Sequence, residues 1–126
     1  ALEIDVARRL LISDLEYTQI LAITYPEDEV ALVLKENGEG WHIATVSEPD
    51  TPLQDSITDE PLVTLFGEGA AATAQDVYVE SNFEDNIIAF DTNGGLVDFT
   101  QTAEITLQIG TTSSIVRVSP TTGSIR

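Results

Sequence analysis

The chain has 126 residues, a length that fits one domain with a single modest core at the usual allowance of about 150 residues per domain. Five basic against 22 acidic side chains leave a formal charge of −17, which excludes the positive surface a nucleic-acid binder needs and disfavours attraction to anionic lipid. Hydrophobic residues make up 42%, too many for an acidic disordered tail, and the absence of cysteine excludes disulfides, thiolate catalysis and cysteine-ligated metals.

The first element in the chain is a helix expected over residues 1–25. At 100° per residue, Ile4, Ala7, Leu11, Leu15, Thr18, Ala22 and Tyr25 fall on one stripe, widened by Leu10, Tyr17 and Leu21. Asp5, Arg8, Arg9, Glu16 and Gln19 lie away from it. Pro26 stops the helix near Thr24 or Tyr25, because its ring clashes with the preceding turn and biases the residue before it toward extended geometry.

After Glu29 the period changes to two. Residues 30–35 and 41–46 read as strands joined across Asn37-Gly38-Glu39-Gly40, a hairpin signal. Residues 47–61 hold three prolines and a run of carboxylates and read as an unstructured acidic loop. Further strands are expected at 62–66, 77–80, 87–90, 96–99, 103–109 and 114–119, with a flexible glycine-alanine stretch at 67–72 and a turn at Asp91-Thr92-Asn93-Gly94-Gly95. Pro120-Thr121-Thr122-Gly123 reverses the chain into a last short strand at 124–126. The expected fold is α+β: one long amphipathic helix packed on antiparallel sheets, in a single domain over 1–126 with a β-rich head from residue 30.

Few constellations suit chemistry. Asp50, Asp55, Asp59 and Glu60 could converge on calcium, but their spacing does not match an EF-hand loop, and a solvated acidic loop is the simpler reading. Glu80, Glu84 and Asp85 form a second acidic group of the same kind. Acid catalysis would need a carboxylate held in an apolar pocket, which loop placement opposes. The single histidine, His42, excludes a two-histidine metal site and lies beside Trp41 in a strand, so alternation turns His42 to solvent if Trp41 faces the core. No serine has a Gly-x-Ser-x-Gly context, and Gly67 and Gly69 lack a phosphate-loop signature. The residues therefore call for no enzyme activity and no cofactor. No run approaches the roughly 18 apolar residues needed to cross a bilayer. The start at Ala1, without an initiating methionine or signal-peptide pattern, leads us to expect a mature or truncated segment of a longer product.

The order of these pieces resembles a known family. The helix Leu10-Leu11-Ile12-Ser13-Asp14-Leu15-Glu16-Tyr17-Thr18-Gln19-Ile20-Leu21-Ala22-Ile23-Thr24 is similar to the segment that follows the membrane anchor in H-type pseudopilins of type II secretion and related minor type IV pilins. So are the strand opening Gly40-Trp41-His42-Ile43, the turn Ile88-Ala89-Phe90-Asp91-Thr92-Asn93-Gly94, and the closing hairpin from Ile115 to Arg126. The resemblance implies a structural subunit made as a prepilin, anchored in the inner membrane by an upstream hydrophobic helix. Its head would lie on the periplasmic side, assembling with other pseudopilins or pilins into a filament that serves protein export. DNA uptake through a basic closing hairpin, as in some relatives, is not expected with only Arg117 and Arg126 there. On this reading Ile4, Ala7, Leu11 and Leu15 are the expected filament-contact residues of the helix. Asp50, Asp55, Asp59 and Glu60 form the expected partner-contact loop. The alternative is a periplasmic binding module that grips a soluble partner or cation through its strand loops. The excess of negative charge favours partners with positive patches in either case.

Overall fold

Apolar side chains spaced three and four apart wind the chain into α1 (Leu2–Thr24), and the expected start at Ala1 lies outside the described residues, 2–126 of the computed structural model. Ile4, Ala7, Leu11, Leu15, Thr18 and Ala22 are buried along one stripe, as the period requires. Thr18 satisfies its buried hydroxyl by donating to the Asp14 carbonyl at 2.6 Å. Tyr25, expected on the same stripe, is 56% exposed, because the chain leaves the helix axis after Thr24 and turns at Pro26.

Seven strands follow: β1 (Val30–Leu34), β2 (Gly40–Thr45), β3 (Val63–Leu65), β4 (Tyr78–Ser81), β5 (Ile87–Phe90), β6 (Ala103–Ile109) and β7 (Thr112–Val118). They form two antiparallel sheets ordered β3-β2-β1-β5 and β4-β6-β7. The β1–β2 hairpin closes through Gly38, whose φ of +76° suits glycine, and pairs Leu34 with Trp41. The Gly38 carbonyl also accepts the Val79 N–H at 2.9 Å, which stitches the two sheets together. Helix α1 lies across both, touching β1, β5, β6 and β7. The main core cluster joins its buried stripe to Leu32, Trp41, Ile88, Phe90, Ile105, Leu107 and Val116. Full burial of each large aliphatic side chain there contributes about 2 kcal/mol.

Four expectations about connections need correction. Residues 67–72 are not a flexible stretch: Gly69–Ala74 forms a short 3₁₀ segment, with Ala71 and Ala74 buried and the segment resting against α1. Residues 96–99 are not a strand. Leu96 makes a single bridge to Phe90, and the Asp98 carboxylate then accepts the Thr100 N–H, turning the chain away before a ladder forms. The closing residues 124–126 are reduced to one bridge, Val118 to Ile125, flanked by reciprocal backbone bonds between Arg117 and Arg126. Residues 47–61 are ordered by backbone bonds to β2 and by their own turns.

Candidate interaction surface

Ile4, Ala7, Leu11 and Leu15 are 4% exposed or less, packed into the chain's own core. As placed, they bind the helix to its head and offer no surface to a neighbour. Turning outward instead is a stripe at the same spacing: Leu2, Asp5, Arg9, Ser13, Glu16, Ile20 and Ile23, all exposed. It is apolar at both ends and charged between.

Polar side chains on the flanks of α1 fix its orientation. Trp41 faces the core, and its indole Nε1 donates to Asp14 Oδ2 at 2.8 Å. The Thr64 hydroxyl donates to the same oxygen at 3.0 Å, and Phe66 meets the indole edge-on with centroids 5.5 Å apart. Arg8, read from sequence as outward-facing, reaches β7: Nη1 donates to the Ile115 carbonyl at 2.8 Å and to Ser114 Oγ at 3.1 Å. Gln19, also read as outward-facing, has its amide nitrogen donating to the carbonyls of Gly94 at 2.7 Å and Gly123 at 3.1 Å. One helical side chain thus clamps the turn after β5 and the chain's last reversal. At Gly123, φ is +71°, and a Cβ would stand 1.8 Å from the Gly94 carbonyl oxygen.

The C-terminal end of α1 opens onto a groove of about 500 Å³. Tyr17, Ile20, Leu21, Val30, Leu53 and Leu62 give it an apolar lining, and Glu27 and Asp28 stand at its rim. Its far wall is the acidic segment, held as a strap across β2. Leu53 N–H donates to Ile43 C=O at 2.8 Å, Ile43 N–H to Leu62 C=O at 3.0 Å, and Leu62 N–H to Leu53 C=O at 2.8 Å. Beyond these bonds the strap doubles back through a bridge from Gln54 to Pro61. At its tip the Asp55 carboxylate accepts the N–H groups of Ile57 and Thr58 at 2.8 and 3.0 Å. These two backbone donors hold the Asp55 carboxyl below the ordinary aspartate value. The turn they make leaves Ile57 90% exposed. The hydroxyl of Ser47 donates to the Asp28 carboxylate, tying the start of the strap to the end of the helix.

Three of the four carboxylates expected in the partner-contact loop, Asp55, Asp59 and Glu60, share the turn at the tip of the strap, where the Asp55 N–H donates to the Glu60 carbonyl at 2.8 Å and the Asp59 N–H to the Asp55 carbonyl at 2.9 Å. Asp55 serves its own turn, Asp59 adopts a φ of +60° beside it, and among the described residues no three or more acidic or histidine side chains are placed to share an ion. His42 is half-buried rather than turned to solvent: its Nε2 lies 2.6 Å from the Pro49 carbonyl, and since a carbonyl only accepts, that nitrogen carries the proton. Sequence reasoning missed Gln19, Arg8 and the groove. The one available signal for the groove was the run Ile20, Leu21, Ile23, Tyr25, too broad an apolar surface for the helix to bury at its end.

No protein-family profile matches the chain, and no characterised protein matches its sequence. Among solved structures, two crystal forms of the type IV minor pilin FimU of Pseudomonas aeruginosa share its fold. One aligns over 97% of this chain and 84% of that one with a TM-score of 0.67, the other over 97% and 89% with a TM-score of 0.64, each at 18% sequence identity. The fold is pilin-like. In this pilin-like arrangement the long helix leads and the two sheets form the head. Among the described residues no helix is long and apolar enough to cross a membrane.

Proposed function

We propose that this chain is the head of a structural, pilin-type subunit that assembles with other pilins or pseudopilins into a filament and performs no catalysis. The finer reading is a minor pseudopilin of a type II secretion filament, or a minor pilin of a related pilus, acting in protein export. Its head faces the periplasm, and an inner-membrane anchor continues α1 upstream. The observation that carries this is the alignment of 97% of the chain, helix included, with a minor pilin. The helix supports it, since one face is spent on the head and the opposite stripe, from Leu2 to Ile23, stands exposed. Contact with neighbours on this reading runs through Leu2, Ile20 and Ile23, while Ile4, Ala7, Leu11 and Leu15 support it indirectly by holding the helix straight on the sheets. Nucleic acid is not an expected partner: of the five basic side chains, Arg8 is held by β7 and Arg117 pairs with Glu104 at 3.0 Å.

The coding sequence upstream of Ala1 tests the reading. It is expected to encode a Gly-Phe processing junction, about 20 apolar residues with a glutamate at the fifth mature position, and an uninterrupted helix into Leu2. A different domain there, or a helix-breaking linker, would remove the filament role.

A further inference from the structure

The groove at the end of α1 has a chemistry of its own, whether or not the chain enters a filament. Its apolar lining is aliphatic and aromatic, and two of those side chains, Ile20 and Tyr25, stand 56% exposed. Its electrostatics are one-sided. The charged side chains that line it, Glu27 and Asp28, are both acidic, and the one basic side chain between residues 24 and 62 is Lys35. Lys35 lies past the far end of β1 and lines a different cleft with His42 and Asp85. The last turn of α1 carries no basic residue, so the negative end of the helix dipole at Thr24 faces the groove without compensation. A second copy of this chain would bring the same acidic rim and another net charge of −17, so like charges oppose self-docking.

We propose that this groove docks a segment of a partner protein that presents an apolar side chain flanked by lysine or arginine. The apolar side chain enters between Leu21, Leu53 and Leu62, and the flanking cations meet Glu27, Asp28 and the helix terminus. Neither half suffices: the lining recognises apolar area without regard to charge, and the rim attracts any cation.

The test uses ¹⁵N-labelled protein and three synthetic pentapeptides, Lys-Leu-Lys-Leu-Lys, Lys-Ser-Lys-Ser-Lys and Glu-Leu-Glu-Leu-Glu. The first is expected to shift the amides of Leu21, Tyr25, Leu53 and Leu62 saturably, with about tenfold weaker binding in roughly 0.5 M salt. The double variant Ile20→Lys and Glu27→Lys changes two exposed side chains with no hydrogen-bond role, so its spectrum is expected to stay folded while these shifts disappear. Equal shifts from the serine peptide would reduce the site to unspecific charge attraction, and equal shifts from the glutamate peptide would remove the electrostatic half. Shifts at the same amides that grow with protein concentration alone would make the occupant a second copy. Each of these three results overturns the proposal. Peptide binding by a head whose gene lacks an upstream anchor would leave this inference standing and remove the filament reading.

Discussion

The seam between α1 and the sheets and the strap over residues 47–61 are held by opposite means. In the seam, side chains do the holding: Leu11 and Leu15 fill the core, Trp41 and Thr64 share Asp14, and Gln19 bonds two carbonyls that lie 75 and 104 residues away in the chain. In the strap, backbone bonds to β2 do most of the holding, with His42 on the Pro49 carbonyl and Ser47 on Asp28 at its start, and the carboxylate of Asp55 does little more than shape a turn. Mutations should therefore register as lost stability in the seam and as altered surface in the strap.

The sharpest way to break the comparison is at Gly123. Gly123→Val places a branched side chain where a Cβ already meets the Gly94 oxygen at 1.8 Å and the Gln19 amide at 2.2 Å, at a φ that disfavours it. A loss of about 3 kcal/mol or more is expected in urea unfolding, and a near-neutral result would mean that the clamp is not closed in solution. Gln19→Ala should cost less, about 1–3 kcal/mol, because two carbonyls at buried glycines lose a donor that water reaches poorly. If Gln19→Ala is silent, the C-terminal reversal is held by Ser119 and Leu96 bonding alone.

The strap predicts a smaller and pH-dependent effect. Because the folded-state pKa of Asp55 is lowered by the backbone donors of Thr58 and Ile57, its contribution is complete above the unfolded aspartate value of about 3.9 and is lost as pH falls through the folded value. From neutral pH down to about 5, the Ile57 and Thr58 amide shifts should stay constant, then move together below the ordinary aspartate range. Asp55→Ala should reproduce the acid spectrum at neutral pH while leaving the unfolding midpoint nearly unchanged. A large drop in that midpoint would place the strap among the supports of the core and erase the contrast with the seam.

The parts legible in the sequence are those governed by local period. The buried stripe of α1 follows from a spacing of three and four. The strands at 87–90 and 103–109 follow from apolar runs ended by turn residues. What could not be read depends on distant partners. Gln19 looks like any solvent-facing amide until Gly94 and Gly123 are brought to it. Residues 96–99 carry a strand-like composition, and only the Asp98 turn shows why they leave the sheet. The acidic segment has the composition of a loose loop, yet Leu53 and Leu62 bind it to Ile43 through backbone groups that no side chain advertises. The groove is a product of that strap meeting the end of the helix.

The proposed filament role requires α1 to give one face to its head and the other to neighbouring subunits. The chain contains no cysteine, so a single Glu16→Cys, labelled in its own cells with a thiol-linked photocrosslinker and recovered by an affinity tag, carries the label on the outer stripe alone. A discrete covalent adduct with a second pilin-type subunit is expected. A label at Glu16 that captures no such subunit, in cells whose filament machinery is active, would contradict it.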